Sequence, residues 1–593
     1  VFDMRGGTVW APNSVIVGNG NGSTGTLIMT GGRVSTPQNV TLGNNMTKGA
    51  WGALYMGGGE IFTSNTLALG SSVTNWGRAL LTGGAIEANN MTVGGNGVGD
   101  WVQSNGSVTV RANLIQGNGA NSTGTVALAG GDLTVRGTLT VGYYGIAALS
   151  VSGGTLVVSN GLNCGDATNS YGALTLGGGL VQAKGGTWGN KGLAQVTVSG
   201  GSNTFLGSIT IGSQTQSVVW VTGGSNTISG DVLVARNSGT SSGRLTVSGG
   251  QTFASGNTDV GQLGQGFFEV AGGEYTTRFL RMNTGTAATP VPPQSEIRMT
   301  GGRLQVNEAC YMPDTATITG KLTLAGGVLA VPVLRQHWGK LHVRFDGGTV
   351  QATKAEPDFI RELDKYALTA NGLVVDSAGF ATGSSLVFPD EAGARGRLVK
   401  KGAGVFTLNA ASTFTGPAVV QGGALALGAS GLITLAGGCE VDGGALLNLS
   451  ARALDFTLPA GTVSRVDGEL RLASGQTLTV ASGATLCGTG MLGRVVFESG
   501  ATLSRSAASG AALLTAAPCV ISSGAVIALT GGYTANDLRN GIQVLFGSSL
   551  SVAQGGSVAV TLDGVPQEHV ALRVAGDVLT AFSYEPGTVI SVY

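Results

Sequence analysis

Short runs in which apolar and polar residues alternate recur along most of the chain, with a pair of glycines between them. Examples are LLTGGAIEANNMTVGG from Leu80, LSVSGGTLVVSNGLNCG from Leu149 and VTVSGGSNTFLGSITIG from Val196. Alternation with period two in runs rich in Val, Leu, Ile and Thr predicts β-strands, and glycine supplies the positive φ that tight corners need. The pattern therefore predicts short strands joined by glycine corners.

The glycine pairs return about every 24 residues, which is the signature of a repeat architecture. Asn105-Gly106 occupies the slot where one pair is missing, and in several repeats a closing glycine follows twelve residues after the pair begins. Because each strand can pair with its equivalent in the next coil, we predict an all-β fold, a parallel β-helix or β-solenoid with almost no α-helix. The first glycines of the pairs are Gly6, Gly31, Gly57, Gly83, Gly130, Gly153, Gly177, Gly200, Gly223, Gly249, Gly272, Gly301, Gly326 and Gly347, and the closing glycines are Gly18, Gly43, Gly142, Gly165, Gly189, Gly212 and Gly261.

Three tryptophans, Trp51, Trp76 and Trp101, are evenly spaced along the chain, with one repeat between each and the next. Since equivalent positions of successive coils lie against one another, we predict that the three rings form a stacked aromatic column. The column has two interpretations, packing between coils or a platform on which sugar rings lie, because aromatic rings serve both purposes. The three tryptophans are therefore the candidate glycan-binding residues.

The amino-acid composition argues against several classes of protein. Glycine accounts for 104 of 593 residues, hydrophobic residues for 42% and charged residues for only 11%. Periodic glycines with this hydrophobic content argue against disorder. The 32 Lys and Arg balance the 32 Asp and Glu, so a nucleic-acid partner is not predicted. No run of eighteen apolar residues is present, and no transmembrane segment is predicted.

The sequence carries no convincing catalytic, cofactor or metal motif. The aspartates of the repeat array are never adjacent or two apart, so the paired carboxylates of a polysaccharide lyase or hydrolase are not predicted. His337 and His342 would point to opposite faces of one strand. The sequence GTSSG, from Gly239, matches the G-x-S-x-G motif of a nucleophile elbow, but the strand-to-helix turn that this motif requires is not predicted here. Dispersed cysteines without CxxC predict buried small residues; they are Cys164, Cys310, Cys439, Cys487 and Cys519.

After the repeat array, the regular glycine pairs give way to a more highly charged segment. The charged cluster PDFIRELDKY, from Pro357, predicts a short helix after its proline. Residues 285–294, which carry three prolines, predict a loop that leaves the solenoid. We divide the chain into a regular glycine-rich array at 1–350, a linker with the short helix at 351–397, coils at 398–505 and an irregular β region at 506–593.

The segment LVKKGAGVFTLNAASTFTGPAVVQGGALALG, from Leu398 to Gly428, resembles the autotransporter-associated β-strand repeat. SGATLCGTGMLGRVVFESGATL, from Ser482, is similar to the coils of such passengers, so the resemblance covers roughly 351–505. It implies a right-handed parallel β-helix at the outer surface of a Gram-negative cell, and it implies no particular ligand. The matching positions are Lys401, Gly402, Gly404, Leu408, Thr413, Phe414, Thr415, Gly416, Gly423, Leu425 and Leu427.

We predict an exported protein, extracellular or on the outer cell surface, because the chain begins at Val1 without a leader. The first coil and the closing segment from Leu579 are both expected to present open strand edges. The first predicted function is therefore head-to-tail assembly of copies into a filament, sheath or surface coat. The alternative is a surface adhesin or glycan-binding passenger, with cell-surface glycans as partner. A polysaccharide-cleaving enzyme is the third, and we predict neither catalysis nor a cofactor.

Overall fold

The computed structural model describes residues 1–44, 49–237, 239–284, 295–316, 318–553 and 558–585. The fold is an all-β parallel β-solenoid with about 21 turns of about 24 residues, as the repeat predicts. The loop predicted over 285–294 lies outside the described residues. The chain divides into two compact units, the first at 1–329 and 336–342 and the second at 330–335 and 343–593.

The strands follow the alternating runs of the sequence. Those of the first unit up to Tyr311 are Phe2–Met4, Thr8–Trp10, Val15–Asn19, Thr24–Thr36, Val40–Asn44, Trp51–Leu69, Trp76–Leu81, Ala85–Val93, Val98–Gln103, Ser107–Val110, Leu114–Gln116, Thr123–Leu128, Asp132–Val135, Leu139–Val141, Ile146–Val151, Thr155–Cys164, Tyr171–Leu176, Leu180–Trp188, Leu193–Val198, Ser202–Phe205, Ile209–Ile211, Gln216–Val221, Ser225–Ile228, Val232–Val234, Ser242–Val260, Gln265–Met282 and Glu296–Tyr311.

The strands from Thr319 onward are shorter on average. They are Thr319–Val331, Leu334–Arg335, Lys340–Phe345, Thr349–Ala352, Glu356–Arg361, Lys365–Leu368, Leu373–Asp376, Ala381–Ser384, Leu398–Lys401, Val405–Leu408, Ala418–Val420, Ala424–Leu427, Cys439–Val441, Leu446–Asn448, Phe456–Leu458, Val463–Val466, Glu469–Arg471, Thr477–Val480, Thr485–Cys487, Met491–Leu492, Arg494–Phe497, Thr502–Ser506, Leu513–Thr515, Cys519–Ile521, Val526–Thr530, Ile542–Gly547, Leu550–Val552, Ala559–Leu562, Val565–Pro566, Val570–Ala575 and Val578–Ser583.

A regular turn of the first unit contains three strands. One such turn consists of Val98–Gln103, Ser107–Val110 and Leu114–Gln116. The first of these pairs in parallel with Trp76–Leu81 on one side and with Thr123–Leu128 on the other. Along each strand alternate side chains point inward, so apolar residues fill the core while their neighbours form the outer face.

The two glycines of most pairs satisfy different requirements, as Gly83 and Gly84 show. The first has no room for a side chain: a Cβ on Gly83 would lie 2.4 Å from the carbonyl oxygen of Gly57. The second adopts the left-handed backbone, with φ of 84° at Gly84. Close approach between turns and a sharp corner thus explain why glycine recurs in adjacent positions.

The helix predicted within PDFIRELDKY is wrong. Glu356–Arg361 and Lys365–Leu368 are strands, and the corner between them contains Glu362 with a φ of 51°. Phe359 and Ile360 are both fully buried. Glu356–Arg361 pairs in parallel with Leu334–Arg335 and with Ala381–Ser384. Pairing on both edges of this strand outweighs the local helical signals of proline and alternating charge.

The end of the second unit differs from the open strand edge that was predicted for the closing segment. Val578–Ser583 pairs antiparallel with both Ile542–Gly547 and Val570–Ala575, and Val565–Pro566 pairs antiparallel with Ala559–Leu562. Ala535–Asn540 is a short α-helix that begins with a capping box. The expected bare strand is therefore wrong for its described part, because these residues turn back onto their own sheet. Residues 586–593 lie outside the described residues.

The five cysteines are free thiols, and all but Cys487 are buried. Burial raises the pKa of Cys164, Cys310, Cys439 and Cys519 to about 12. Such thiols behave as small apolar side chains at neutral pH, because the reactive thiolate form is suppressed.

A candidate binding face in the first unit

Trp51 and Trp76 begin strands in successive turns and lie opposite each other in the parallel register. Their rings stack with centroids 5.0 Å apart and planes within 5° of parallel. Both side chains point outward, with 49% and 45% of the residue exposed. Thr24 and Val98 flank the pair in the neighbouring turns, and both are smaller than an indole ring. Much of the tryptophan surface therefore faces solvent.

Trp101 does not belong to this column, which corrects the predicted stack of three. It lies opposite Ala79 and Val126 and is fully buried, while Val98 occupies the position opposite Trp76. The strand of this turn begins at Val98, so the even spacing of the tryptophans places Trp101 three positions further along. An odd offset in a strand moves a side chain to the opposite face. Trp101 therefore packs in the core.

The exposed column continues beyond the two tryptophans through successive turns of the first unit. Ile146 and Leu193 are 56% and 49% exposed, and the intervening positions are half-buried. Neighbouring strands in a sheet are ~4.8 Å apart, so the column is an evenly spaced, uncharged ladder. We call it the tryptophan strip, which consists of Trp51, Trp76, Val98, Thr123, Ile146, Tyr171 and Leu193.

Polar groups lie beside the tryptophan strip on the same outer face. Thr125 Oγ1 donates to Asp100 Oδ1 at 2.8 Å, and Asp100 also pairs with Arg78 at 3.3 Å. The hydroxyl of Tyr171 donates to Gln195 Oε1 at 2.6 Å. These partly exposed groups can donate and accept hydrogen bonds next to an apolar surface. A ligand with an apolar face and several hydroxyl groups would match this arrangement.

A histidine and an aspartate are in close contact in the first unit. His337 Nδ1 lies 2.6 Å from Asp314 Oδ1, and neither belongs to a nucleophile constellation. His337 precedes the strand Lys340–Phe345 that contains His342, so the two histidines do not share a strand. The pairing of His337 with Asp314 is not predicted by the sequence pattern, although the two residues are separated by about one turn of the chain. Among the described residues, no group of three or more His, Cys, Asp or Glu could hold a metal ion.

The segment 398–428 of the second unit forms strands of two successive turns. Leu398–Lys401 pairs with Ala418–Val420, and Val405–Leu408 pairs with Ala424–Leu427. Lys400 is fully buried, and its Nζ donates to the carbonyl oxygens of Lys401, Gly402 and Gly422 at 2.5, 2.7 and 3.1 Å. The lysine that holds this turn together is therefore Lys400, whereas Lys401, which the motif match used, is exposed.

Comparison with known proteins agrees with this region. The family model for the passenger-associated-transport-repeat matches residues 398–427. No curated protein gives a significant match to the chain. Within the part of the chain that the structure describes, no helix has the length and apolar character needed to cross a membrane. The repeat family implies export to the cell surface or beyond it. The matched repeat and the parallel β-solenoid together fit an autotransporter passenger β-helix.

Proposed function

We propose that this passenger displays its solenoid outside the cell and binds an extended, weakly charged glycan along the tryptophan strip. The observation that carries the proposal is the stacked and half-exposed pair Trp51 and Trp76. Contiguous exposed apolar surface on a soluble protein marks an interaction site.

A glycan fits the strip better than an apolar partner does. The C–H groups of a pyranose ring can pack against the exposed edges and outer faces of the two stacked indoles, while its hydroxyl groups need hydrogen-bond partners. The groups of Arg78, Asp100, Thr125 and Gln195 supply such partners beside the strip.

Self-assembly remains a prediction with less support. It requires strand edges at the two ends that pair with another copy. In the second unit, Val565–Pro566 runs antiparallel to Ala559–Leu562, and Val578–Ser583 runs antiparallel to Ile542–Gly547. A strand that has reversed direction does not continue the parallel ladder, so it hinders end-to-end stacking. The chain's lack of catalysis also remains a prediction, although passenger repeats and this fold are typical of non-catalytic proteins.

Replacing Trp51 and Trp76 together by alanine is expected to weaken binding to soluble β-1,4-linked polysaccharides by roughly tenfold. The loss of two aromatic contacts of about 0.7 kcal/mol each gives this factor. Affinity electrophoresis in gels that contain the polysaccharide measures the change, and circular dichroism with thermal melting shows whether the fold persists.

Trp10→Ala is the matched control, because Trp10 is 66% exposed but lies on a different strand, Thr8–Trp10. It should retain wild-type binding. Equal binding by the double variant and the wild-type protein would refute the proposal, as would a wild-type protein that binds none of the polysaccharides. Light scattering on the same samples tests self-assembly separately.

A further inference from the structure

Trp338 is the most exposed tryptophan of the first unit, with 68% of the residue accessible. Its backbone is nevertheless held in place: the N–H groups of Trp338 and Gly339 both donate to the carbonyl oxygen of Pro313, at 3.2 and 3.1 Å. A Cβ on Gly339 would lie 2.4 Å from the carbonyl oxygen of Thr315. The corner therefore packs tightly against the preceding turn and presents a large ring to solvent from a fixed position.

A row of rings leads to Trp338 across successive turns. Phe279 stacks on Tyr311 with centroids 5.7 Å apart, Tyr311 contacts His337 at 4.7 Å, and His337 meets Trp338 edge-on at 5.2 Å. The inner members of the row are only partly exposed. His337 is the member of the row that contacts Trp338, whose own surface is open.

A polar pair lies at the base of the exposed ring. Asp314 and His337 are joined at 2.6 Å, and their side chains keep 24% and 23% of their surface exposed. Within the described residues, each has one further polar atom, Oδ2 of Asp314 and Nε2 of His337, for which no side-chain partner is present. A fixed carboxylate and imidazole beside an open indole can bind the hydroxyl groups of a ring that packs on the indole face.

We propose that Trp338, His337, Asp314 and Tyr311 form a second saccharide-binding site, which we call the Trp338 subsite. It takes one neutral pyranose unit, whose C–H face packs on Trp338 and whose hydroxyl groups bond to Asp314 and His337. The polar pair beside the ring carries the inference, since the equally exposed control Trp10 shows that an open indole alone does not mark a site. The inference rests on the proposed function in so far as both sites bind a glycan, but the residues are different.

The test uses the full chain with ¹⁵N-labelled tryptophan. The protein has seven tryptophans, so it gives up to seven indole N–H signals in NMR, and single Trp→Phe variants assign them. Cellohexaose, a neutral β-1,4-linked hexasaccharide, is the probe. We expect its addition to shift the signals of Trp338, Trp51 and Trp76, while the exposed control Trp10 stays unchanged. Asp314→Asn and His337→Gln should each weaken the response of Trp338 about fivefold and leave the response of Trp51 unaltered.

The possible results separate the two proposals. A response of Trp51 and Trp76 without Trp338 overturns the Trp338 subsite and keeps the tryptophan strip. A response of Trp338 alone supports the subsite and overturns the strip, and no response at any signal overturns both. If Trp338 responds equally in the wild-type protein and in Asp314→Asn and His337→Gln, the polar pair has no part in binding. Unchanged signals from the buried Trp101 show that each variant is folded.

Discussion

Replacing Gly99 by alanine is expected to destabilise the solenoid by about 3 kcal/mol, at the upper end of the range for overpacked cores. Gly99 lies on the inner face of Val98–Gln103, and a Cβ there would be 2.2 Å from the backbone N of Gly94 and 2.8 Å from the carbonyl carbon of Val93. The obstructing atoms belong to the backbone, so no side-chain rotation relieves the clash. Urea denaturation followed by circular dichroism measures the loss.

The same column contains a natural control. Gly99 lies opposite Gly124, and Gly124 lies opposite Ala147, so a methyl group is already accommodated two turns away from Gly99. Ala147→Gly should cost only about 1 kcal/mol, the ordinary penalty for glycine in a strand. If Gly99→Ala proved no worse than Ala147→Gly, the backbone of this turn would have to be more adaptable than its contacts suggest.

The repeat period was predictable because it follows from two steric requirements that only glycine meets. In most pairs, one position lacks room for a side chain and the next needs a positive φ, as Gly83 and Gly84 illustrate. These requirements recur once per turn whatever the other residues are, so they can be read from the sequence alone. The number of strands per turn was not predictable, because continuous alternating runs hide the corners between the faces.

Which face a side chain occupies was harder to predict than the fold. Trp76 and Trp101 are as far apart along the chain as Trp51 and Trp76, yet the strand Val98–Gln103 begins three positions before Trp101, because the intervening turn is shorter. That offset determines whether the tryptophan side chain faces solvent or the core. It cannot be derived from the average period of the repeat. The contact between Asp314 and His337 was missed for a related reason, since their distance along the chain is meaningful only when the turn length is known.

The strand Glu356–Arg361 shows where local signals mislead. Proline followed by mixed charges is typical of a helix start. Arg361 instead reaches back within the strand region to Glu356 Oε1 at 3.1 Å, and its neighbours Phe359 and Ile360 enter the core. In a solenoid every segment lies beside two ready-made parallel partners, and this long-range pairing outweighs the propensity of a few residues.

Lys400→Met is expected to destabilise the second unit by about 3 kcal/mol, because it removes one cationic donor from three backbone carbonyl groups. Those carbonyls belong to Lys401, Gly402 and Gly422, so Lys400 connects two turns of the passenger repeat. Methionine has a similar length and leaves the space filled but donates no hydrogen bond. Lys401→Met is the control, since Lys401 is exposed, and it should change the free energy of unfolding by less than about 0.5 kcal/mol.

The pH dependence of unfolding shows in which protonation state Lys400 is buried in the folded chain. Burial lowers the pKa of Lys400 to about 8, and the nearby charge of Asp376 only partly opposes the shift. In the unfolded chain a lysine keeps its proton up to about pH 10.4. Between these values the unfolded state holds more protons, so this group makes the free energy of unfolding rise with pH. The difference between the wild-type protein and Lys400→Met should therefore grow from pH 8 to pH 10 in urea titrations. A difference that stays constant over this range would mean that Lys400 remains charged in the folded chain, and that the ammonium bonds to its carbonyl groups offset the cost of burying it.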